Sequence, residues 1–243
     1  MSVADAARRR RSRSKVGPSA PDRAELLELV SAAATVADHS GLSPWRLVEL
    51  RGDDRLVVGR SIAAAQGATG PSAAKLEAKS LRAPLLLAVV VSPRESRKVP
   101  YWEQESVASG VAHLLSLLLD EAGWGVMWRT GTETRASEVH AAHGLAPHEA
   151  LLGWLYVGDA GDREPKPRKV VDAARFVTPL PGTAAGAQGV DRQGEGAGHE
   201  HEARDEDERV GLTRAEGVRE QGHAAQQHDE GDEGGDDRGH GDS

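Results

Sequence analysis

The composition of this chain changes abruptly after Pro181-Gly182, and the change limits where a fold can form. Residues 183–243 contain 17 acidic side chains, six arginines and no lysine, a net charge of −11, and they hold no aromatic residue. Such a segment cannot bury enough apolar surface to offset the entropy that it would lose on ordering. We therefore predict one folded domain over residues 1–182 and a disordered, acidic, Gly- and His-rich tail over residues 183–243.

The folded part is close to neutral, since residues 1–182 hold 24 basic and 21 acidic side chains. The chain has no cysteine, which excludes disulfides, thiol catalysis and thiolate metal sites and fits a cytoplasmic protein. No apolar run reaches the roughly 20 residues that span a membrane, and no signal-peptide core follows the basic N-terminus. We expect a cytoplasmic protein with no membrane partner.

Helices and strands alternate along residues 1–182. Apolar residues at helical spacing, with a capping box at Asp22-Arg23-Ala24-Glu25, predict helices over 22–37, 55–66 and 107–122, the last ended by Gly123. Strands are predicted where apolar residues alternate or run without interruption, over 45–50, 85–91, 151–157 and 176–178. The aliphatic run Leu85–Val91 is typical of a buried central strand.

Two segments with arginine beside serine or glycine are candidates for an anion site. Arg10-Arg11-Ser12 lies in the basic cluster Arg8–Arg13, and Trp128-Arg129-Thr130-Gly131 follows Gly123 and Gly125. Guanidinium groups bind phosphate with two hydrogen bonds, and glycine permits close backbone approach. These residues alone support an anion-binding site without naming the anion. A solvated basic arm, or an arm for nucleic acid or anionic lipid, remains open.

Two further segments join the pattern, Asp38-His39 with Pro44-Trp45, and Val99-Pro100-Tyr101-Trp102-Glu103-Gln104-Glu105. In this order and spacing the motifs resemble the nitroreductase family of flavoproteins, especially its small bacterial NAD(P)H nitroreductases of the YdjA type. The resemblance covers residues 8–180. No mechanism is predicted for the segment 99–105, because Glu103 and Glu105 fall on different faces of a helix.

The resemblance implies an α/β (α+β) fold in three layers, with a central, mostly antiparallel sheet flanked by helices, in a homodimer that binds FMN at its interface. It implies these cofactor-binding residues: Arg10, Arg11, Ser12, Thr35, His39, Trp128, Arg129 and Thr130. Arg11 and Arg129 are expected to bind the FMN phosphate. The loop of His39 is expected to reach the flavin of the other subunit, while Trp45 packs in the core.

Four positions depart from the pattern of the family: Ser14, Thr35, Ala37 and Ser43. The family often has a basic residue where this chain has Ser14, and Gln where it has Ser43. Relatives of the YdjA type carry Arg and Pro at the positions of Thr35 and Ala37. A short threonine cannot make an arginine's contacts, so the expected flavin contact at this corner is weaker.

The implied activity is that of an FMN-dependent oxidoreductase. NADH or NADPH passes a hydride to flavin N5 and leaves, and a nitroaromatic, quinone or related small-molecule oxidant then binds in the same place. No catalytic side chain and no metal are expected, and the histidines of the tail, such as His199 and His201, are not expected to form a specific metal site.

Two alternatives remain open: a specialised flavin oxidase or dehydrogenase of the same fold, and a non-enzymatic nucleic-acid-binding protein that uses the Arg8–Arg13 arm. The net charge of only +3 over residues 1–182 disfavours an extended basic face. We therefore expect no nucleic-acid partner.

Overall fold

The computed structural model describes residues 2–161 and 170–180. Its helices are α1 Val3–Arg9, α2 Arg23–Ala33, α3 Leu56–Ala65, α4 Gly70–Ser80, α5 Tyr101–Glu121 and α6 Ser137–Ala142. Its strands are β1 Trp45–Arg51, β2 Leu85–Val91, β3 Trp124–Arg129 and β4 Ala150–Asp159. The chain up to Val177 forms one compact unit. The predicted tail over residues 183–243 lies outside the described residues.

The four strands form one antiparallel sheet in the order β1-β2-β4-β3. Strand β2 is buried at every position and has the predicted bounds. Its side chains alternate between two core clusters: Leu85, Leu87, Val89 and Val91 lie in one, and Leu86, Ala88 and Val90 in the other. The aliphatic run is therefore uninterrupted because both faces of β2 are covered.

Helices cover both faces of the sheet. Residues of α2 and α5, such as Leu26 and Leu115, pack in the cluster on one face. Val58 of α3 and Val139 of α6 pack in the cluster on the other face, and α4 packs against α3. The predicted three-layer fold with an antiparallel central sheet is confirmed. Trp45 is partly buried against the α2/α5 cluster, in agreement with its expected packing role.

The predicted helices over 22–37 and 107–122 are present with different bounds. The Asp22 carboxylate accepts a hydrogen bond of 2.9 Å from the backbone N–H of Glu25, but α2 ends at Ala33 instead of Ala37. The Thr35 hydroxyl donates to the carbonyl oxygen of Ala32 at 2.8 Å in the turn that follows. Helix α5 starts six residues before Val107, and Gly123, at φ +93°, follows its C-cap residue as predicted.

The predicted strand over residues 176–178 is wrong. Phe176 follows a single 3-10 turn, and residues 176–178 form no strand. The side chains of Phe176 and Val177 are 77% and 74% exposed. Helix α4 was not predicted from the sequence, and a proline stands near its start. Pro71 lies in the first turn of α4, where its missing N–H leaves no hydrogen bond unmade.

Two buried polar interactions join neighbouring elements. Arg46 of β1 donates to both carboxylate oxygens of Glu149 at 2.7 and 2.6 Å, and these hydrogen bonds lower the pKa of Glu149 to about 2. His143 donates from Nδ1 to the carbonyl oxygen of Val139 and accepts at Nε2 from the Trp154 indole, at 2.8 and 2.9 Å. Burial lowers the pKa of His143, so this neutral tautomer is maintained. No helix among the described residues is long and apolar enough to cross a membrane.

Candidate functional site

The C-terminal end of β3 leads into a cavity of about 190 Å³ between the sheet, α3 and α4. Two residues of the predicted cofactor set, Arg129 and Thr130, line it. The other polar and aromatic side chains of the lining come from the end of α3, from α4, from the turn after β3 and from β4. In that order they are Gln66, Lys79, Glu133, and Trp154 with Tyr156. The cavity is therefore lined by the predicted segment of Arg129 and Thr130 and by helix α4, which was not predicted.

Hydrogen-bond donors dominate the polar lining of this cavity. The Arg129 guanidinium lies 5.2 Å from the centre of the Tyr156 ring, a cation–π contact that holds it at the wall. Lys79 adds an ammonium group and Thr130 a hydroxyl. The carboxylate of Glu133 accepts a hydrogen bond of 2.6 Å from the Gln66 side chain. A hydrogen bond from its own backbone N–H and the one from Gln66 lower the pKa of Glu133.

Gly153 of β4 allows the end of β3 to approach. A Cβ atom at this position would lie 2.3 Å from the Arg129 carbonyl oxygen and 3.0 Å from Nε1 of Trp128. Its φ of +135° is also a conformation that side-chain-bearing residues rarely adopt. The register of β2 and β4 shifts at this point, between Val89 and Val90. Glycine at the shift therefore sets the path of the residues that enter the cavity.

Trp128 faces the opposite side of the sheet from Arg129. Its ring packs edge-to-face on His113 of α5, with ring centres 5.0 Å apart, and contacts the α2/α5 cluster. Its Nε1 atom is buried and has no hydrogen-bond partner among residues 2–161 and 170–180. Adjacent strand residues alternate between faces, so Trp128 and Arg129 cannot line the same cavity.

The N-terminal arginine segment runs beside β3. Ser12 forms a parallel bridge with Val126, and the backbone N–H of Arg13 donates to the Val126 carbonyl oxygen at 2.9 Å. Arg129 lies three residues further along the strand, or about 10 Å at the usual rise. Both arginine-containing segments thus lie along the same edge of the sheet.

The side chains of the N-terminal segment contact its own helix and α5. Nη1 of Arg11 donates to the carbonyl oxygens of Arg9 and Arg10, at the end of α1, at 3.0 and 2.9 Å. Arg9 forms an ion pair with Asp120 of α5 at 3.4 Å. The basic cluster therefore comprises the end of a short helix that contacts α5 and a segment that pairs with β3, and it is not an extended arm.

The predicted close approach at Gly125 is explained by the chain itself. A Cβ atom there would lie 2.9 Å from Val16 and 3.1 Å from Arg13, both in the N-terminal segment. Gly125 makes room for this segment to cover β3, not for a ligand. At Gly131 a Cβ atom would meet only the end of the Glu133 side chain.

His39 lies at a second, larger groove of about 600 Å³, where α2 ends and α5 begins, and Thr35 precedes the first lining residue, Val36. The groove is lined by Val36, Ala37, His39, Glu103, Val107 and Gly110, among others. Nδ1 of His39 and Oε1 of Glu103 are 2.8 Å apart. The loop around His39 is tightly turned, and the Asp38 carboxylate accepts a hydrogen bond of 2.7 Å from the backbone N–H of Ser43.

The two groups of predicted residues are separated within one chain. The loop of His39 leads into β1, and Arg129 ends β3, and these are the two edge strands of the sheet. Three strand spacings, about 14 Å, lie between the two edges. The predicted cofactor residues therefore fall into three groups. Residues 10–12 and 129–130 lie along β3, and Trp128 lies on the opposite face. His39 lies at the groove, with Thr35 in the turn that leads to it.

Three residues that contribute to these sites were not predicted from the sequence: Gln66, Lys79 and Glu103. Lys79 and Gln66 belong to the unpredicted α4 and to the end of α3, and no motif marks them. Glu103 was part of the segment 99–105, whose likeness to the family was the available signal. Among the described residues, no group of three or more acidic or histidine side chains could hold a metal ion.

Comparison with known proteins agrees with the resemblance found in the sequence motifs. The model of the "Nitroreductase family" matches residues 7–159. "Putative NAD(P)H nitroreductase YdjA" of Escherichia coli K12 is 30% identical over 172 residues, which cover 70% of this chain and 94% of that protein.

Solved structures of low sequence identity share the fold. A nitroreductase-like protein from Bacillus cereus aligns with a TM-score of 0.64 at 21% identity, over 75% of this chain and 97% of its own. The FMN- and NADPH-dependent nitroreductase NfnB, from sphigopyxis sp. strain HMH, aligns with a TM-score of 0.59 at 19% identity, over 74% and 99%.

Proposed function

Because this chain belongs to the nitroreductase family of oxidoreductases, we propose that it binds FMN and uses it to oxidise NADH or NADPH and reduce a small organic acceptor. A nitroaromatic compound or a quinone is the proposed class of acceptor. The observation that carries the proposal is the convergence of donors from Arg129, Thr130 and Lys79 at the end of β3. The chain's similarity to two proteins supports the proposal: the "Putative NAD(P)H nitroreductase YdjA" and the FMN- and NADPH-dependent nitroreductase NfnB.

The chemistry of this donor set fits FMN. The cofactor presents acceptors at both ends, the phosphate oxygens and the carbonyl oxygens of the flavin. Guanidinium and ammonium groups form the strongest hydrogen bonds to such acceptors. The one carboxylate of the lining, that of Glu133, accepts a hydrogen bond from Gln66.

In this proposal Arg129 and Thr130, with Arg10, Arg11 and Ser12 on the same sheet edge, hold the cofactor, and Arg11 and Arg129 bind its phosphate. Lys79 is the cation that the structure adds to this set. Trp128 fixes the end of β3 by packing on His113. Bound FMN would supply the redox chemistry, since it accepts a hydride and passes it on. The side chains bind and orient, and none is proposed as a nucleophile.

A second copy of the chain completes the proposed site. The cavity of about 190 Å³ is smaller than the about 300–1,000 Å³ typical of pockets that enclose a drug-sized ligand. The loop of His39 leads into β1 at the opposite edge of the same sheet, and in this proposal Thr35 and His39 contact the FMN held by another copy. We therefore propose a homodimer in which each chain contributes the β3 edge to one FMN and the groove of His39 to the other.

Sedimentation velocity of the FMN-loaded full-length chain tests this arrangement. A dimer at micromolar concentration is expected. A monomer that retains FMN and oxidises NADPH would contradict it.

Substitution of Arg129 tests the cofactor site. Loss of one charged partner of the phosphate should weaken binding by about 2–3 kcal/mol, or roughly 30- to 150-fold. The matched control is Arg23→Ala, which removes an exposed arginine paired with Glu49 of β1, the opposite edge strand. Flavin fluorescence of the full-length variants gives both dissociation constants. Equal FMN affinity for Arg129→Ala and wild type would contradict the assignment.

Turnover separates this proposal from a flavin oxidase of the same fold. The proposed enzyme consumes NADH or NADPH steadily when a nitroaromatic compound or quinone is present. An FMN-loaded protein that does not oxidise either nucleotide would instead support a specialised oxidase.

A further inference from the structure

Three consecutive side chains at the start of α5, Glu103, Gln104 and Glu105, each contact a different loop. Glu103 contacts His39, and Glu105 lies 3.8 Å from Arg135, in the turn after β3. Between them Gln104 is 3% exposed and forms hydrogen bonds of 2.8 and 3.0 Å with the backbone of Arg94. The segment 99–105, for which the sequence indicated no mechanism, is thus an anchor for the loops around the proposed site.

Glu103 of α5 is in hydrogen-bond contact with the imidazole ring of His39. The carboxylate oxygen Oε1 and the ring nitrogen Nδ1 are 2.8 Å apart, and the two side chains are 30% and 50% exposed. A carboxylate oxygen accepts hydrogen bonds, and the partner that donates in this contact is the Nδ1–H tautomer of the ring. Among the described residues, His39 forms no other side-chain hydrogen bond.

We propose that Glu103 is a positioning residue that keeps the proton of His39 on Nδ1 and so presents Nε2 to FMN held by the partner chain. The nitrogen of a histidine that contacts a ligand is determined by the hydrogen bond of the other nitrogen. The proposal rests on the proposed function, because it takes FMN as the ligand of His39. It assigns a role to a residue that the motif of His39 does not include.

The backbone of the loop is held independently of Glu103. Ser40 and Ser43 have φ of +66° and +46°, the left-handed region that residues with a side chain seldom adopt. The Asp38 carboxylate and the turn from Asp38 to Gly41 maintain this shape. Removal of Glu103 therefore releases the His39 ring while leaving the loop in place.

A double-mutant cycle with Glu103→Ala and His39→Ala tests the proposal by FMN affinity. Glu103→Ala should weaken FMN binding about tenfold, as expected for a partly exposed charged hydrogen bond. In the His39→Ala background the same change should have no further effect, because the ring that it orients is absent. Glu103→Asp tests rescue, and Glu121→Ala, which removes an exposed carboxylate at the other end of α5, is the control that should keep wild-type affinity.

Equal losses from Glu103→Ala with and without His39 would overturn the positioning role, because they would show that Glu103 acts only on the fold or on FMN directly. Wild-type affinity in Glu103→Ala would overturn it as well. If the wild type takes up no FMN, the proposed function fails, and the tautomer of His39 then decides the positioning role by itself.

Nitrogen NMR of the full-length protein reads this tautomer without FMN. We expect His39 to carry its proton on Nδ1 in the wild type and to populate the Nε2-protonated form in Glu103→Ala. The His39→Ala spectrum identifies the resonance. An unchanged tautomer ratio in Glu103→Ala would overturn the proposal whether or not FMN binds.

Discussion

Gly153→Ala should damage both stability and the cofactor site, because the added methyl group lies where the end of β3 passes. Its Cβ would stand 2.3 Å from the Arg129 carbonyl oxygen and 3.1 Å from Cγ2 of Thr130. A contact of 2.3 Å with a backbone atom cannot be relieved by a side-chain rotation. Strand β3 must move away from β4, and Arg129 and Thr130 must move with it.

The expected magnitude has two parts. A side-chain-bearing residue in this backbone conformation costs about 1–3 kcal/mol, and overpacking adds about 1–3 kcal/mol. Their sum, roughly 2–6 kcal/mol, corresponds to a fall in melting temperature of at least about 5 °C for a chain of this size. We expect FMN affinity to fall at least tenfold in the same variant.

Gly144→Ala is the matched control, since Gly144 also has a positive φ, +60°, but a Cβ there would meet nothing within 4 Å. It should lose only about 1–2 kcal/mol and keep wild-type FMN affinity. Thermal melts and flavin titrations of both variants make the comparison. A Gly153→Ala protein that melts with the wild type would refute the packing argument, and one that is less stable but binds FMN normally would refute the placement of the site.

Three further predictions concern stability. Glu149→Gln should lower the free energy of unfolding by about 2–3 kcal/mol at neutral pH. In the folded protein the pKa of Glu149 is lowered to about 2, so its ionised form stabilises the fold above its ordinary pKa of 4.5, and this stabilisation is lost as pH falls toward 2. Thermal melts across that pH range should show this loss in the wild type and not in the variant. His143, whose pKa is lowered by burial, should remain neutral by NMR below pH 6.5, and its contribution is lost as pH falls further. Deleting residues 184–243 should leave melting temperature and FMN content unchanged. A fall in either would show that the predicted tail belongs to the fold.

The sequence predicted those elements whose spacing of apolar residues follows from the burial of their own faces. Strand β2 is covered on both faces, so its aliphatic run predicted its bounds, and α5 packs on the sheet over most of its length. Helix α4 packs mainly on α3, and Gly59, where a Cβ would lie 2.5 Å from Glu77, permits that contact. A contact between two helices at one glycine leaves no periodic pattern, which is why α4 was missed.

The candidate site was predicted as a set of motifs and not as a geometry. The two arginine motifs are close in space because Ser12 pairs with β3, the strand that ends at Arg129. Alternation along β3, had that strand been recognised, would have placed Trp128 and Arg129 on opposite faces. The contact of His39 with Glu103 joins residues 64 positions apart, and spacing alone could not predict it.

The most direct test of the central claim is an anaerobic titration of the full-length, FMN-loaded protein with NADPH or NADH, followed by visible absorbance. We predict that the protein retains FMN, that the nucleotide bleaches the flavin band, and that a nitroaromatic compound or a quinone restores it. A purified protein that takes up no FMN, or whose bound flavin stays oxidised with both nucleotides, would contradict the account.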